Sequence, residues 1–248
     1  MTINTVLQHS SEVLQAIESL RSLGLFSHRD RVKSWDTWKM INIINQADRS
    51  SSILDIGCEG SPVLPLLRRL GFRNLYGCDL VLNKRYRCLM KLVYTFYKKN
   101  YKPVLEMYRS KNFNISVQDL ERTGFQREKF DYITSLSVIE HGINIQNYFK
   151  EMNRIVKNGG VLLTSTDYWP DKIINPINSK HNYKNLPDII FSREEIEKDV
   201  IKIAEQNGFV LTELINFACK DKVVHWNITN LDYTFIFFAL KKNTNVRS

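Results

Sequence analysis

The stretch ILDIGCEGS, residues 53–61, decides the fold of this chain. Its first four residues are apolar apart from Asp55, a composition typical of a parallel strand buried on both faces. Gly57 and Gly60 predict a tight turn. Ser61-Pro62 then predict the start of a helix, because serine is a good N-cap and proline is tolerated at the first helical position. The stretch therefore predicts one strand–turn–helix unit of an α/β sheet.

Segments on both sides of this unit extend the same pattern. Six more strands are predicted, at residues 74–80, 114–120, 130–138, 159–167, 209–217 and 233–241. Helices are predicted at residues 4–23, 35–46, 145–157 and 193–206, and Gly71 is expected to end the helix that Ser61-Pro62 opens. The helix at 145–157 is expected to stop at Asn158-Gly159-Gly160, and Ser192 with Glu195 predicts a capping box. Strands alternating with helices predict a parallel sheet covered on both faces, closed by an antiparallel pair at the C-terminus.

The net charge of +9 is concentrated in one segment of the 248 residues. Residues 81–111 carry nine basic residues and one acid, Glu106, so the rest of the chain is nearly neutral. Apolar residues at helical spacing predict a basic helical insert at 81–112. The insert is either a solvated helix or a surface for an anion, such as a nucleotide-linked sugar, an anionic glycan, a membrane surface or RNA.

Several general features predict a cytoplasmic protein. The four cysteines form no CxxC pair and suggest neither a zinc site nor a disulfide framework. We see no apolar run long enough to span a bilayer and no secretory signal.

Polar residues stand where the predicted strands end. In an open α/β sheet, ligands bind beyond the carboxyl ends of the strands, so these residues are expected at one edge. They are Asp55, Gly57, Asp79, Asp119, Ser135, Glu140, His141 and Asp167. Five successive strands each contribute polar groups, a far more specific pattern than one glycine motif.

Together, the motifs ILDIGCEGS, LYGCDL, VQDL, FDYITSLSVIEHG and NGGVLLTSTD resemble the class I S-adenosylmethionine-dependent methyltransferases over residues 50–241. The resemblance implies a Rossmann-like, seven-stranded, mostly parallel sheet with an antiparallel C-terminal hairpin. The chain departs from the family at Glu59 and Ser61, where the family usually has glycine. The stretch SVIEHG and the loop after the fifth strand are similar to small-molecule and glycan methyltransferases.

The acids around the glycine turn agree with this cofactor. They would repel the pyrophosphate of a dinucleotide, which disfavours a nicotinamide oxidoreductase, whereas S-adenosylmethionine carries a sulfonium and an ammonium. The resemblance implies that Asp79 binds the ribose hydroxyls, Asp119 the adenine amino group, and Ser135 the methionine side. The full predicted cofactor set is Asp55, Gly57, Cys58, Glu59, Gly60, Asp79, Leu80, Asp119, Leu120, Ser135 and Leu136.

His141 is the candidate general base, with Glu140 as a candidate orienting partner. The alternative is a structural histidine at a strand-to-helix junction. Some quinone-type relatives bind a metal through a Glu-x-x-Glu-His pattern. Because Ser137 stands at the first position of that pattern here, no metal is predicted.

The acceptor side is predicted from a loop and from the N-terminus. The long irregular stretch at 166–191 is a candidate acceptor loop, in which Tyr168, Trp169 and His181 would bind substrate, unless it is a self-packed surface loop. Residues 1–48 are predicted as an N-terminal helical cap, and residues 49–248 as the catalytic domain.

The predicted function is methyl transfer to a hydroxyl of a small molecule or of a sugar or glycan, with an acceptor that could be anionic. Peripheral membrane contact through the basic insert is compatible with this prediction, and nucleic acid is disfavoured as a partner. Two alternatives remain: an RNA or protein methyltransferase that uses the insert, and a non-catalytic binding protein on this fold.

Overall fold

The computed structural model describes residues 2–80, 113–177 and 187–244. The predicted basic insert at 81–112 and His181 of the predicted acceptor loop lie outside the described residues.

A single mixed sheet organises the described part of the chain. Its strands run in the order β1-β9-β6-β5-β2-β3-β4, with β7 and β8 also bonded to β9. Neighbours from β4 to β6 are parallel, and all pairs that involve β9 are antiparallel. The strands are β1 (Thr5–Val6), β2 (Ile53–Ile56), β3 (Leu75–Asp79), β4 (Asn114–Val117), β5 (Phe130–Leu136), β6 (Val156–Tyr168), β7 (Phe209–Leu211), β8 (Val224–Trp226) and β9 (Leu231–Lys242).

Helices cover both faces of this sheet, as predicted. In the part of the chain that the structure describes, four are regular: α1 (Ser10–Ser22), α2 (Ser34–Ile44), α3 (Val63–Arg69) and α4 (Ile145–Ile155). The fifth, α5, runs from Arg193–Glu195 through a π-helical segment, Ile196–Ile201, into Lys202–Gln206. Buried residues of α1, α2 and α3 share one core cluster, and those of α4 and α5 share the other. The predicted Rossmann-like α/β fold is therefore confirmed, and β1 and β8 add to the seven predicted strands.

Strand β9 shows how the two cores are separated. Phe235 and Phe237 pack with α1 to α3, whereas Ile236 and Phe238 pack with α4 and α5. This alternation follows from the two-residue period of side chains in a strand. Burying each of these large side chains contributes about 1.5–3 kcal/mol, so a continuous apolar run is required in a strand covered on both sides.

The predicted helix at 4–23 is wrong over its first residues. Thr5 and Val6 pair with β9, since β-branched side chains suit a pleated surface. Helix α1 begins at Ser10, where the carboxylate of Glu12 accepts hydrogen bonds from the amides of Gln8 and His9 at 2.8 and 3.1 Å. These bonds satisfy amides that have no partner within the helix and fix its start.

The predicted stop at Asn158-Gly159-Gly160 is also wrong. Helix α4 ends at Ile155, and β6 follows at once. Gly159 has a φ of +74° inside β6, next to a register shift against β5. Gly159 and Gly160 therefore form a bulge in β6, and the left-handed backbone of Gly159 is typical of such a bulge.

Two smaller differences concern element ends. Helix α3 begins at Val63, one residue later than predicted, and the Ser61 hydroxyl accepts from the Val63 amide at 3.3 Å. The strand predicted at 209–217 is regular only over Phe209–Leu211. Across the described ranges, no helix combines the length and apolarity needed to cross a membrane.

Candidate active site

The glycine turn after β2 forms the first wall of the site. Gly57 and Gly60 have φ values of +64° and +89°, conformations that L side chains rarely adopt. The amide of Cys58 donates to the carbonyl of Cys78 at 3.1 Å, so the turn stays tied to β3. A Cβ at Gly57 would lie 2.6 Å from Val138 Cγ2, whereas a Cβ at Gly60 would have no atom within 4 Å.

We expect Gly57→Ala to destabilise the fold more than Gly60→Ala. Both substitutions place an alanine in left-handed backbone, at about 1–2 kcal/mol each. Only Gly57→Ala adds the clash with Val138 in the loop after β5. Urea unfolding of both variants measures the difference. Equal losses of unfolding free energy would show that the Val138 side chain moves aside without a measurable cost.

Two carboxylates flank the turn. Asp55 on β2 is fully buried, and burial, with smaller help from the charge of Asp79, raises its pKa to about 7. Its Oδ1 accepts from Thr134 Oγ1 at 2.7 Å, while its buried Oδ2 has no hydrogen-bond partner in the described residues. Asp79 ends β3, half-buried, and its Oδ2 accepts from the Glu59 amide at 3.1 Å. The structure thus brings both predicted acids to the glycine turn.

The other predicted cofactor residues line the same strand edge. Leu80 is half-buried beside Asp79. Asp119 is exposed after β4 and caps the next turn, where Oδ1 accepts from the Glu121 amide at 2.9 Å, and Leu120 is buried. Ser135 and Leu136 are buried at the end of β5. Asp119 therefore has a turn-capping role in the structure, and its binding of adenine stays a prediction.

His141 is paired with an acid from a distant part of the chain. Its Nδ1 lies 2.8 Å from Oδ1 of Asp188, whose side chain is 4% exposed against 34% for His141. Burial lowers the pKa of His141 most strongly. The hydrogen bond to Asp188 and the charges of Glu140, Asp188 and Asp167 together outweigh burial and raise that pKa to about 9.

The orienting partner of His141 differs from the prediction. Glu140 is buried and accepts from Thr166 Oγ1 at 3.0 Å, so its carboxylate is directed to β6. It acts on the pKa of His141 through charge, and Asp188 makes the hydrogen bond to the ring. Glu140 and His141 are consecutive in a turn, one buried and one partly exposed, so they reach different neighbours.

The start of α2 adds charged groups that sequence reasoning missed. Lys33 Nζ donates to Ser137 Oγ at 2.5 Å. Asp36 is fully buried and accepts from Ser165 Oγ at 3.0 Å and from the Thr37 amide at 2.8 Å. Burial raises the pKa of Asp36 to about 7. No motif marks these residues, because an acid in the first turn of a helix is an ordinary feature.

Asp167, a predicted strand-end acid, lies in the same cluster. It is buried at the end of β6, and burial with the charge of Glu140 raises its pKa to about 8. The charges of Lys33 and His141 act in the opposite direction. Asp167 is therefore within electrostatic reach of the charged groups on both sides of the site.

The predicted substrate-binding residues have separate environments. Tyr168 is fully buried in the core shared with α4 and α5, its ring 6.2 Å from that of Phe217. Trp169 is half-buried on the opposite face, under the ammonium of Lys222 at 4.8 Å. The structure does not bring Tyr168 and Trp169 together, and His181 lies outside the described residues.

Comparison with known proteins identifies the family. A family model described as "Methyltransferase domain" matches residues 29–214, which is most of the chain. The chain belongs to this methyltransferase family. The ubiquinone biosynthesis O-methyltransferase of Dictyostelium discoideum, a mitochondrial protein, is 23% identical over 86% of this chain and 67% of its own. The ubiquinone biosynthesis O-methyltransferase of Pelagibacter ubique is 23% identical over 73% of this chain and 71% of its own.

A solved structure shows the same fold. The 1,6-didemethyltoxoflavin-N1-methyltransferase of Burkholderia thailandensis, with S-adenosylhomocysteine bound, has a TM-score of 0.55 and 10% identity. The alignment covers 94% of this methyltransferase and 86% of that chain. The protein with the present sequence is thus an enzyme that uses S-adenosylmethionine, as predicted.

The residues at the glycine turn fit this cofactor. Asp55, Glu59 and Asp79 place carboxylates around left-handed backbone, an environment that suits a ligand with a sulfonium and an ammonium and no phosphate. The buried Oδ2 of Asp55 is an acceptor of the kind that an ammonium would satisfy. Across the described ranges, no group of three or more His, Cys, Asp or Glu side chains is arranged to hold a metal ion.

Proposed function

We propose that this methyltransferase methylates a hydroxyl oxygen of a small molecule, with His141 as the general base. The observation that carries the proposal is the pair of His141 and Asp188 at the carboxyl edge of the sheet. Asp188 holds Nδ1, which leaves Nε2 as the ring nitrogen that can accept the hydroxyl proton. S-adenosylmethionine, when bound, supplies a methyl group activated by its sulfonium.

The acceptor atom is inferred from two sources. Both curated relatives named above are O-methyltransferases, which supports oxygen. A hydroxyl must lose its proton on methylation, and a positioned general base assists that loss. Transfer of the proton costs little free energy when the pKa of the base is close to that of the hydroxyl. His141, with its pKa raised to about 9, is suited to a phenolic hydroxyl, whose pKa is about 10 in tyrosine.

The rest of the acceptor site is assigned by proposal. We place it between the N-terminal cap, residues 1–48, and the loop at 166–191, with Trp169 and His181 as candidate contacts. Tyr168 shapes the site by packing, because its side chain is buried. The RNA or protein alternative depends on the insert at 81–112, which lies outside the described residues, and it stays a prediction. The cytoplasmic location and a glycan acceptor stay predictions.

An acceptor comparison tests this function. Purified enzyme with S-adenosylmethionine is given catechol or methyl glucoside, and formation of S-adenosylhomocysteine is followed. Catechol is expected to react at least about tenfold faster, since its hydroxyl is far more acidic and a base with a raised pKa can deprotonate it. A faster reaction with methyl glucoside would assign a sugar hydroxyl. Absence of product with both acceptors, while S-adenosylmethionine still binds, would contradict the proposed acceptor class.

A further inference from the structure

Lys33 places a cation at the edge of the sheet next to the predicted methionine side of the cofactor site. Its Nζ donates to the hydroxyl of Ser137, the residue directly after β5. The same ammonium lies 5.4 Å from the ring centroid of Phe235 on β9. Lys33 thus joins the start of α2 to β9 and to the end of β5, immediately beyond Ser135 and Leu136.

The groups around Lys33 connect it to the proposed base. The charges of Lys33 and His141 both act on the buried carboxyl of Asp167, so both residues lie near it. Asp36, which accepts one hydrogen bond from the Thr37 amide and one from Ser165 on β6, lies in the field of Lys33 as well. Ser165 and Thr166, consecutive on β6, donate hydrogen bonds to Asp36 and Glu140, so β6 links the helix start that carries Lys33 to the turn that carries His141.

We propose that Lys33 binds the acceptor and that its ammonium stabilises the negative charge developing on the acceptor oxygen during proton loss. The inference rests on the proposed function. The O–H proton passes to His141, the oxygen forms the new bond to the methyl carbon, and the electron pair of the broken carbon–sulfur bond stays on sulfur. A fixed cation at a developing oxyanion is among the stronger catalytic effects.

The carboxyl groups near Lys33 do not fully neutralise its charge. Burial raises the pKa of Asp36 to about 7 and that of Asp167 to about 8, so neither is fully ionised near neutral pH. The hydrogen-bond partner given to the ammonium by the structure is a neutral hydroxyl. An ionised acceptor oxygen can replace that hydroxyl and form a charge-assisted hydrogen bond, which is stronger.

A purely structural role for Lys33 is the alternative. Ser137 has a φ of +52°, and Lys33 could serve to hold this left-handed turn, which is also fixed by the bond from the Ser137 amide to the Ser165 carbonyl at 3.0 Å. Ser137→Gly separates the two roles. Glycine removes the hydroxyl that Lys33 binds and accepts the left-handed backbone without strain.

The test measures rates with catechol against pH for Lys33→Met, Lys33→Arg and Ser137→Gly. Lys33→Met is expected to lower kcat by about 100-fold at neutral pH, because the cation that stabilises the developing negative charge is lost. Lys33→Arg keeps the charge in a different geometry and should recover about tenfold of that loss. Ser137→Gly should be the mildest change.

The titratable groups that face Lys33 must be followed in the same experiment. The charge of Lys33 acts on Asp36 in α2, Asp167 in β6 and His28 before α2. Asp167 in turn interacts with Glu140, His141 and Tyr233. His28 is set apart from them, since burial and Lys33 lower its pKa to about 4, and it stays neutral in the tested range. If the rate loss in Lys33→Met depends on ionisation of the acceptor, the size of that loss should change when 4-nitrophenol, a more acidic phenol, replaces catechol.

A second readout does not depend on turnover. The absorbance of 4-nitrophenol reports its ionisation, so wild type is expected to lower the pKa of this probe on binding, and Lys33→Met is not. No shift with wild type, or an equal shift with Lys33→Met, would overturn the role of Lys33. Calorimetry should show unchanged S-adenosylmethionine binding by Lys33→Met. If wild type methylates catechol and Lys33→Met matches it, this inference fails alone; if wild type is inactive, the proposed function fails.

Discussion

Asp79→Ala is expected to weaken S-adenosylmethionine binding by about 100-fold or more, since each hydrogen bond to a charged group contributes about 1.5–3 kcal/mol and tenfold in affinity is about 1.4 kcal/mol. The carboxylate already accepts a hydrogen bond from the Glu59 amide at 3.1 Å, across the glycine turn. The substitution therefore removes the predicted ribose contacts and also the bond that ties the turn to β3. Calorimetric titration with S-adenosylmethionine and with S-adenosylhomocysteine measures the loss of affinity for each compound.

Asp48→Ala is the matched control for this titration. Asp48 is an exposed carboxylate that binds the amide and hydroxyl of Ser50, so its loss changes the net charge equally without touching the turn. It should bind both compounds as wild type does. Equal binding by Asp79→Ala and wild type would remove Asp79 from the cofactor site and would leave the turn with a different ligand contact.

The strand–turn–helix at 53–69 was predictable from sequence because its causes are local. A buried parallel strand needs a continuous apolar run, and the turn after it needs backbone with positive φ, which Gly57 and Gly60 supply. The antiparallel pairing of β7 with β9 was also predictable, because no helix is predicted between these two strands. Element ends were less predictable, because β1 forms through pairing with β9, more than 200 residues away in the chain.

The catalytic side was only half predictable for a related reason. His141 stands in a recognisable motif, but Asp188 is 47 residues away and Lys33 is 104 residues from Ser137. The tertiary fold brings such distant residues together, and a single sequence contains no local signal that pairs them. The prediction that Tyr168 binds substrate used its place in the loop and could not include the direction of its side chain, which the pleat of β6 turns into the core.

His141→Ala is expected to lower turnover by about 100-fold to 10,000-fold, the range for loss of a general base, with S-adenosylmethionine binding unchanged. His225→Ala is the matched control, because His225 and Asp232 form an exposed pair at 2.7 Å on β8 and β9. The control variant should keep wild-type turnover. Similar losses in both variants would indicate damage to the fold, and full activity of His141→Ala would remove the histidine from the reaction.

The pH dependence gives the sharper test of this base. With its pKa raised to about 9, His141 is mainly protonated at neutral pH, so turnover should rise with pH up to about 9. Asp188→Asn keeps an acceptor oxygen but removes the negative charge that strengthens the hydrogen bond, so the rising limb should move about 1–2 units lower, with a lower plateau. The pair stabilises the fold fully below the ordinary histidine pKa of 6.5 and loses that effect as pH rises through about 9. Asp188→Asn should therefore destabilise the protein more at pH 6 than at pH 10, which thermal unfolding at the two values measures. A rate profile that keeps its midpoint in Asp188→Asn would assign the rising limb to the acceptor hydroxyl instead of His141.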